Sequence, residues 1–176
     1  GGRERRRAGE GEAVRDAVPE PVVPDMTAPY NVMVTGIGGT GVLTVGALLG
    51  MAAHLEHKFC AILDSTGLAQ KGGEVLSHVR LAPSPDDLHC GHIITGGTDL
   101  LLACDIVSAA GKNAHETLNP QRSRAVINTD NTPVAEFVLN RNADAHNDAL
   151  KKTLLDATDS NHHHFVPATG YATALL

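Results

Sequence analysis

Three glycines near the start of the chain have a spacing that suits the binding of a phosphate group. Gly36, Gly38 and Gly41 form the pattern G-x-G-x-x-G, which is typical of dinucleotide-binding loops. Gly36 permits a tight turn, Gly38 and Gly39, with Thr40 beside them, let a phosphate approach the backbone, and Gly41 allows close packing of the next helix. The N–H groups at the start of that helix would attract an anion. The spacing is equally compatible with glycines that only shape a turn.

Two further groups could contact the same ligand. Asp64 ends the second predicted strand, at the distance from the loop where a ribose-binding acid is expected. Lys71 is followed by Gly72 and Gly73 just before a strand, so a cation stands beside accessible backbone N–H groups. Such a group could hold a phosphate or a carboxylate, although an exposed turn with a solvated lysine would have the same sequence.

The remaining polar clusters do not predict catalysis or metal binding. Ser77 and His78 are neighbours on a predicted strand, so their side chains point to opposite faces and cannot belong to one triad. His89 and His92 lack a second ligand pair at a defined spacing, and the consecutive histidines 162–164 cannot all face one ion. We therefore predict no catalytic residue and no metal ligand in this chain, and the role of His162–His164 stays open.

The elements that must position these residues alternate between strand and helix. This alternation predicts the fold class α/β: a three-layer, Rossmann-like domain with a mostly parallel sheet and helices on both faces. The predicted strands are 30–36, 59–64, 74–82, 105–111, 124–130 and 163–169, and the predicted helices are 40–58, 98–105, 112–120, 148–158 and 170–176.

Residues 1–28 differ from the rest, because charged residues and prolines dominate them. We expect a flexible linker or arm there. The domain itself is predicted to span 29–176, with its C-terminal end truncated, because the last residues follow an apolar helical pattern.

Composition excludes several classes of protein. The net charge is −6 and aromatic residues make up only 3% of the chain, which argues against a nucleic-acid partner. No apolar run approaches the roughly 20 residues that span a membrane, and the start has no secretory signal. The three cysteines form no C-x-x-C pair, so the chain alone predicts neither disulfides nor an iron–sulfur site. These features predict a cytoplasmic protein.

From about residue 30 to its end, the chain resembles the gamma domain of the 2-oxoacid:ferredoxin oxidoreductases. It is most similar to the long fused indolepyruvate ferredoxin oxidoreductases. The resemblance rests on three motifs in combination: the glycine loop, G-L-A-Q-K-G-G at 67–73 and S-H-V-R at 77–80.

The resemblance implies one component of an enzyme that converts an aryl 2-oxoacid to an acyl-CoA by oxidative decarboxylation. Thiamine diphosphate and iron–sulfur clusters would lie on other domains or subunits, and ferredoxin would accept the electrons. It also implies that this chain is inactive alone. The glycine loop and Lys71–Gly73 would line a face that binds coenzyme A or a partner domain.

Other functions remain open at this point. A stand-alone dinucleotide domain of a dehydrogenase or redox sensor would bind NAD or FAD, with the ribose on Asp64. A purely structural interaction domain would bind no small molecule. The chain could also form a homo-oligomer.

Overall fold

Within the part of the chain that the structure describes, six strands form one mixed sheet in the order β2-β3-β1-β4-β5-β6. A computed structural model describes residues 25–67, 73–129 and 143–175, together with Pro19 and Val22. The predicted arm, residues 1–28, therefore lies almost wholly outside the described residues. The strands are β1 Tyr30–Ile37, β2 Phe59–Thr66, β3 Glu74–Ala82, β4 Leu100–Ala103, β5 Arg124–Asn128 and β6 His163–Val166.

Helices cover both faces of this sheet. They are α1 Val42–Leu55, α2 Ile106–Ala110, α3 Lys112–His115, α4 Ala143–Ala157 and α5 Ala168–Leu175, with a 3-10 turn at Pro85–Asp87. Strands β4, β5 and β6 run parallel to β1, whereas β3 is antiparallel to both β1 and β2. The predicted α/β class, with a mostly parallel sheet and helices on both faces, is confirmed.

The alternation of side chains along β1 separates two apolar clusters. Val32 and Val34 pack with Val42 of α1 on one face. Met33, between them in sequence, packs on the other face with residues of α2, α3 and α4 such as Leu154. Because both faces of this strand are covered, β1 is buried along nearly its whole length, including its polar residues Asn31 and Thr35.

The sequence-based assignment of residues 98–111 is wrong. A helix followed by a strand is predicted, but the structure has strand β4 at Leu100–Ala103 and then helix α2 at Ile106–Ala110. The strand is a continuous apolar run between β1 and β5, so it has no alternating pattern to identify it. The helix begins after Asp105, whose Oδ1 accepts hydrogen bonds from the N–H (2.9 Å) and the hydroxyl (3.1 Å) of Ser108.

Candidate functional site

The glycine loop connects the carboxyl end of β1 to the first turn of α1. Gly39 and Gly41 have φ angles of 95° and 84°, in the left-handed region that glycine adopts without strain. Thr40 fastens the loop to the strand, because its N–H (3.0 Å) and its hydroxyl (2.7 Å) both donate to the carbonyl of Ile37. Gly41 is the N-cap of α1, and no side chain accepts a hydrogen bond there.

The glycines of this loop serve two different purposes. A Cβ on Gly36 would lie 2.2 Å from Thr40 Oγ1 and 2.7 Å from Val42 Cγ2, so close packing requires glycine there. At Gly38, by contrast, a Cβ would meet no atom within 4 Å. Gly36 therefore shapes the turn, while Gly38 faces open space that a ligand could occupy.

The structure brings the second glycine motif onto the first. The N–H of Gly38 donates to the carbonyl of Gly73 at 3.1 Å, and the N–H of Gly67 donates to the carbonyl of Glu74 at 2.7 Å. Lys71 and Gly72 lie outside the described residues. Gly73, which leads into β3, therefore lies against the glycine loop, whereas Gly67, which follows the end of β2, is bonded to the first residue of β3.

An apolar cavity of about 620 Å³ opens next to the glycine loop. It lies at the carboxyl ends of β1, β4, β5 and β6, on the same face of the sheet as α1. Helix α1 covers β1, β2 and β3 but not the other strands of this face. In open α/β sheets this edge is where ligands usually bind, at the point where the chain connections diverge from the first strand. Its lining includes Gly38, Gly39, Thr40, Val45, Leu102, Cys104, Val126, Asn128, Val166 and Thr169.

Asn128 lines one side of this cavity and is held there by hydrogen bonds. Its Nδ2 donates to the carbonyl of Cys104 (3.1 Å) and to Thr169 Oγ1 (3.2 Å), and its Oδ1 accepts from the N–H of Ala168 (3.0 Å). Burial, and to a lesser extent Asp105, raise the pKa of the Cys104 thiol. Sequence reasoning missed both Asn128 and Cys104. The position of each residue at the carboxyl end of a strand was the available signal, because Cys104 follows β4 and Asn128 is the last residue of β5.

Asp64 is not brought together with the glycine loop. Strand β3 lies between β1 and β2, and Asp64 pairs with Ser77, which pairs with Val34. At about 4.8 Å per strand, the backbone of Asp64 is roughly 10 Å to the side of β1. It is also level with the middle of β1, before the loop begins. A dinucleotide fold places its ribose-binding acid on the strand next to the first, and the described residues do not form that arrangement.

The S-H-V-R motif has an architectural role in this structure. His78 Nδ1 accepts the N–H of Ile93 at 3.2 Å, and burial, with His92 as a second cause, lowers the pKa of His78 to about 4. Arg80 donates through Nε to Asn31 Oδ1 at 3.0 Å and through Nη1 to the carbonyl of Cys90. The motif thus holds the loop around residues 90–93 against the sheet.

The histidine clusters remain apart. His162 Nδ1 lies 2.7 Å from Asp159 Oδ2 at the surface, while His92 stacks on His78 with ring centroids 4.4 Å apart. Within the described residues, no group of three or more His, Cys, Asp or Glu side chains could hold a metal ion. No described helix is long and apolar enough to cross a membrane.

Comparison with known protein families identifies the family to which this chain belongs. The family model of pyruvate ferredoxin/flavodoxin oxidoreductase matches residues 31–173. The chain belongs to this family. The match includes both glycine motifs and all six strands except the first residue of β1.

Curated members of the family are similar to parts of the chain. The indolepyruvate oxidoreductase subunit IorB of Pyrococcus horikoshii is 34% identical over 80 residues, which are 46% of this chain and 38% of that protein. The subunit of the same name from Methanothermobacter thermautotrophicus is 29% identical over 107 residues, or 59% and 50% of the two chains. The matched part of the chain thus spans half or less of the length of these relatives.

Solved structures of the family share the fold. The pyruvate oxidoreductase subunit PORC of Thermotoga maritima superposes with a TM-score of 0.53 at 16% identity, over 84% of this chain and 67% of that one. A 2-oxoglutarate:ferredoxin oxidoreductase of Magnetococcus marinus, solved with 2-oxoglutarate, coenzyme A and succinyl-CoA, gives 0.50 at 18% identity, over 61% and 18%. At such identities the likeness concerns the fold alone.

Proposed function

We propose that this chain is the gamma-type module of an indolepyruvate, or more broadly 2-oxoacid, ferredoxin oxidoreductase. The complete enzyme would decarboxylate an aryl 2-oxoacid oxidatively to an acyl-CoA in the cytoplasm. Thiamine diphosphate and iron–sulfur clusters would lie on its other domains or subunits, and ferredoxin would take the electrons. Family membership and the four curated relatives of that name support this proposal. The chain would be inactive alone and would have neither a nucleic-acid nor a membrane partner.

Within that enzyme, we assign the glycine loop and the segment 67–73 to the face that receives coenzyme A or the backbone of a neighbouring domain. The observation that supports this assignment is the 3.1 Å hydrogen bond from Gly38 to Gly73, which brings the last residue of the second motif against the first motif. The open space at Gly38, Gly39 and Gly41, where a Cβ would meet nothing within 4 Å, leaves room for a phosphate.

Coenzyme A fits the chemistry of this face. The uncapped start of α1 offers N–H groups and the positive end of a helix dipole to a pyrophosphate. Lys71 would add a cation to the same group, with Gly72 and Gly73 keeping its surroundings open. The apolar cavity beside the loop would take an uncharged part of the molecule, because its wall is built from side chains such as Leu102 and Val126. Asp64 would lie outside this contact.

Titration of the chain with coenzyme A, followed by amide NMR, tests the assignment. We expect shifts in the loop 36–41, weaker binding in Lys71→Ala, and no effect of NADH. Lys152→Ala is the matched control, because Lys152 is exposed on α4. In the assembled oxidoreductase, Gly38→Val should raise the KM for coenzyme A. If coenzyme A shifts no loop amide and neither variant changes the assembled enzyme, the assignment is wrong.

A further inference from the structure

Helix α1 carries apolar side chains on every side, including the side that faces solvent. Its 14 residues, Val42–Leu55, contain no Asp, Glu, Lys or Arg, and its only polar residues are Thr44 and His54. Leu43, Leu48, Met51 and Leu55 are 46%, 65%, 59% and 73% exposed. A helix that is hydrophobic all round is normally covered on all sides, and an exposed apolar patch of this kind usually marks an interaction surface.

Strand β2, beside this helix, is an unprotected edge of the sheet. Among the described residues only β3 pairs with it, so one row of its backbone N–H and C=O groups has no strand partner. Its eight residues, Phe59–Thr66, include a single charge, at Asp64, and no proline. Ile62 and Leu63 are 40% and 42% exposed on its two faces. Edge strands normally carry charges, prolines or bulges that prevent pairing with another chain.

The glycines of α1 fix its position over the sheet. A Cβ on Gly46 would lie 2.7 Å from Ser77 Oγ on β3, and one on Gly50 would lie 2.8 Å from Ile62 Cδ1 on β2. Between Gly46 and Gly50 the helix therefore lies above the boundary between β3 and β2, about half a strand spacing inside the free edge.

The same positions fix which side of α1 faces that edge. At about 100° per residue, Leu43, Ala47 and Met51 form a ridge on the β2 side of the helix, and all three are exposed. Val45 and Leu49, on the opposite side, pack into the core over β1. We name β2 together with the ridge Leu43–Ala47–Met51 the edge surface.

We propose that the edge surface binds a second copy of this chain. A two-fold axis perpendicular to the sheet would pair β2 with β2 of the partner copy in antiparallel fashion and join the two sheets. Such an axis keeps both α1 helices on the same face, so the two ridges meet above the new strand pair. This inference does not depend on the proposed function.

Strand geometry brings the two helices to packing distance. Each α1 lies about half a strand spacing inside its own β2, and the two β2 strands would be one spacing apart. The two helix axes would therefore be separated by two spacings of about 4.8 Å, or about 10 Å. Each step also rotates by about −20° to −25°, so the twist of the sheet contributes about −40° to −50° to the crossing angle. Helices that interlock through i, i+4 ridges pack 8–10 Å apart at about −50°. The ridge Leu43–Ala47–Met51 has this i, i+4 spacing.

The area of the edge surface suits a stable dimer. A strand of eight residues is about 27 Å long, and a sheet with one helix layer is roughly 20 Å high. The flat projection is thus roughly 540 Å² per copy, or about 1,080 Å² in total. This total exceeds the roughly 1,000 Å² expected of a biological interface, and standard interfaces bury about 800 Å² per partner.

Sedimentation equilibrium of the chain, with a mass of 18.4 kDa, tests the proposal. We expect a mass about twice that value, and Met51→Glu should raise the dimer dissociation constant roughly 100-fold, because it opposes like charges beside the axis. Leu48→Glu is the matched control: it changes the same residue class on the same helix, but on the outward side, and should leave the dimer intact. Circular dichroism establishes that both variants are folded.

Hydrogen exchange identifies the surface independently of the mass. The outward amides of β2 should be protected in the wild type and should exchange rapidly in Met51→Glu. A monomer at concentrations of several hundred micromolar would overturn the proposal. So would a dimer that tolerates Met51→Glu, one that dissociates equally in Leu48→Glu, or one in which β2 amides exchange freely. Any of these results would mean that the exposed side of α1 does not bind a second copy through the edge surface.

Discussion

Replacing Gly36 by alanine should distort the glycine loop by steric overlap alone. The added Cβ would lie 2.2 Å from Thr40 Oγ1, 2.7 Å from Val42 Cγ2 and 3.2 Å from Cys104 Cβ. Ordinary carbon contacts are 3.5–4.0 Å. The three neighbours lie on three elements of the domain, so no single rotation of one side chain relieves the overlap.

The expected cost follows from two contributions. Overpacking a close-packed site costs about 1–3 kcal/mol. Thr40 must also move, and its hydroxyl then loses the 2.7 Å hydrogen bond to the carbonyl of Ile37, which is worth about 0.5–1.5 kcal/mol. We therefore expect Gly36→Ala to lower the free energy of unfolding by about 2–4 kcal/mol.

Urea unfolding followed by circular dichroism measures this change, with Gly38→Ala as the matched control. A Cβ at Gly38 would meet no atom within 4 Å, and the φ of Gly38 is not positive. Its free energy of unfolding should stay within about 0.5 kcal/mol of the wild type. If the two variants have equal free energies of unfolding, whether both are destabilised or neither is, the distinction between a glycine required for packing and a glycine facing open space is wrong.

Three further results are expected elsewhere in the domain. Asp105→Ala removes the buried N-cap of α2 and should lower the free energy of unfolding by about 1–2 kcal/mol in urea. Because the pKa of His78 is lowered to about 4 from 6.5, the unfolded chain binds more protons between these pH values. The free energy of unfolding should therefore decrease by up to about 3 kcal/mol as the pH falls through that window. In His78→Gln, the difference between the unfolding free energies measured in urea at pH 7 and pH 4.5 should be smaller than in the wild type. Dithionitrobenzoate at pH 8 should modify exposed Cys90 first, since burial raises the thiol pKa of Cys60 and Cys104; equal rates would contradict this.

Strands and helices with a clear hydrophobic periodicity or a clear terminating residue could be predicted from the sequence. Strand β3 was identified by alternation and agrees with the observed Glu74–Ala82. The failure at 98–111 has a physical cause: β4 is only four residues long and apolar on both faces, so its pattern does not distinguish strand from helix. Asp105 was the missed signal, because an acid before an apolar pair typically begins a helix.

The candidate site was predictable only in part, for a different reason. Turn chemistry is local, so the loop at Gly36–Gly41 could be located from spacing. The position of Asp64 depends on strand order, which is not local: the hairpin of β2 and β3 returns so that β3, not β2, pairs with β1. The position of Asn128 at the end of a strand was a signal, but its bonding to Cys104 and Ala168, 24 and 40 residues away, could not be read from neighbouring residues.

The insertion of β3 also changes what the glycine loop can do. In a dinucleotide fold, the strand beside the first carries the ribose acid, and the loop amides are free for the pyrophosphate. Here Gly73, which leads into β3, lies beside the loop, and its carbonyl accepts the N–H of Gly38. One amide donor of the loop is therefore already used by the protein. The same glycine spacing thus occurs here in a loop that lacks both the neighbouring acid-bearing strand and one free amide of a dinucleotide fold.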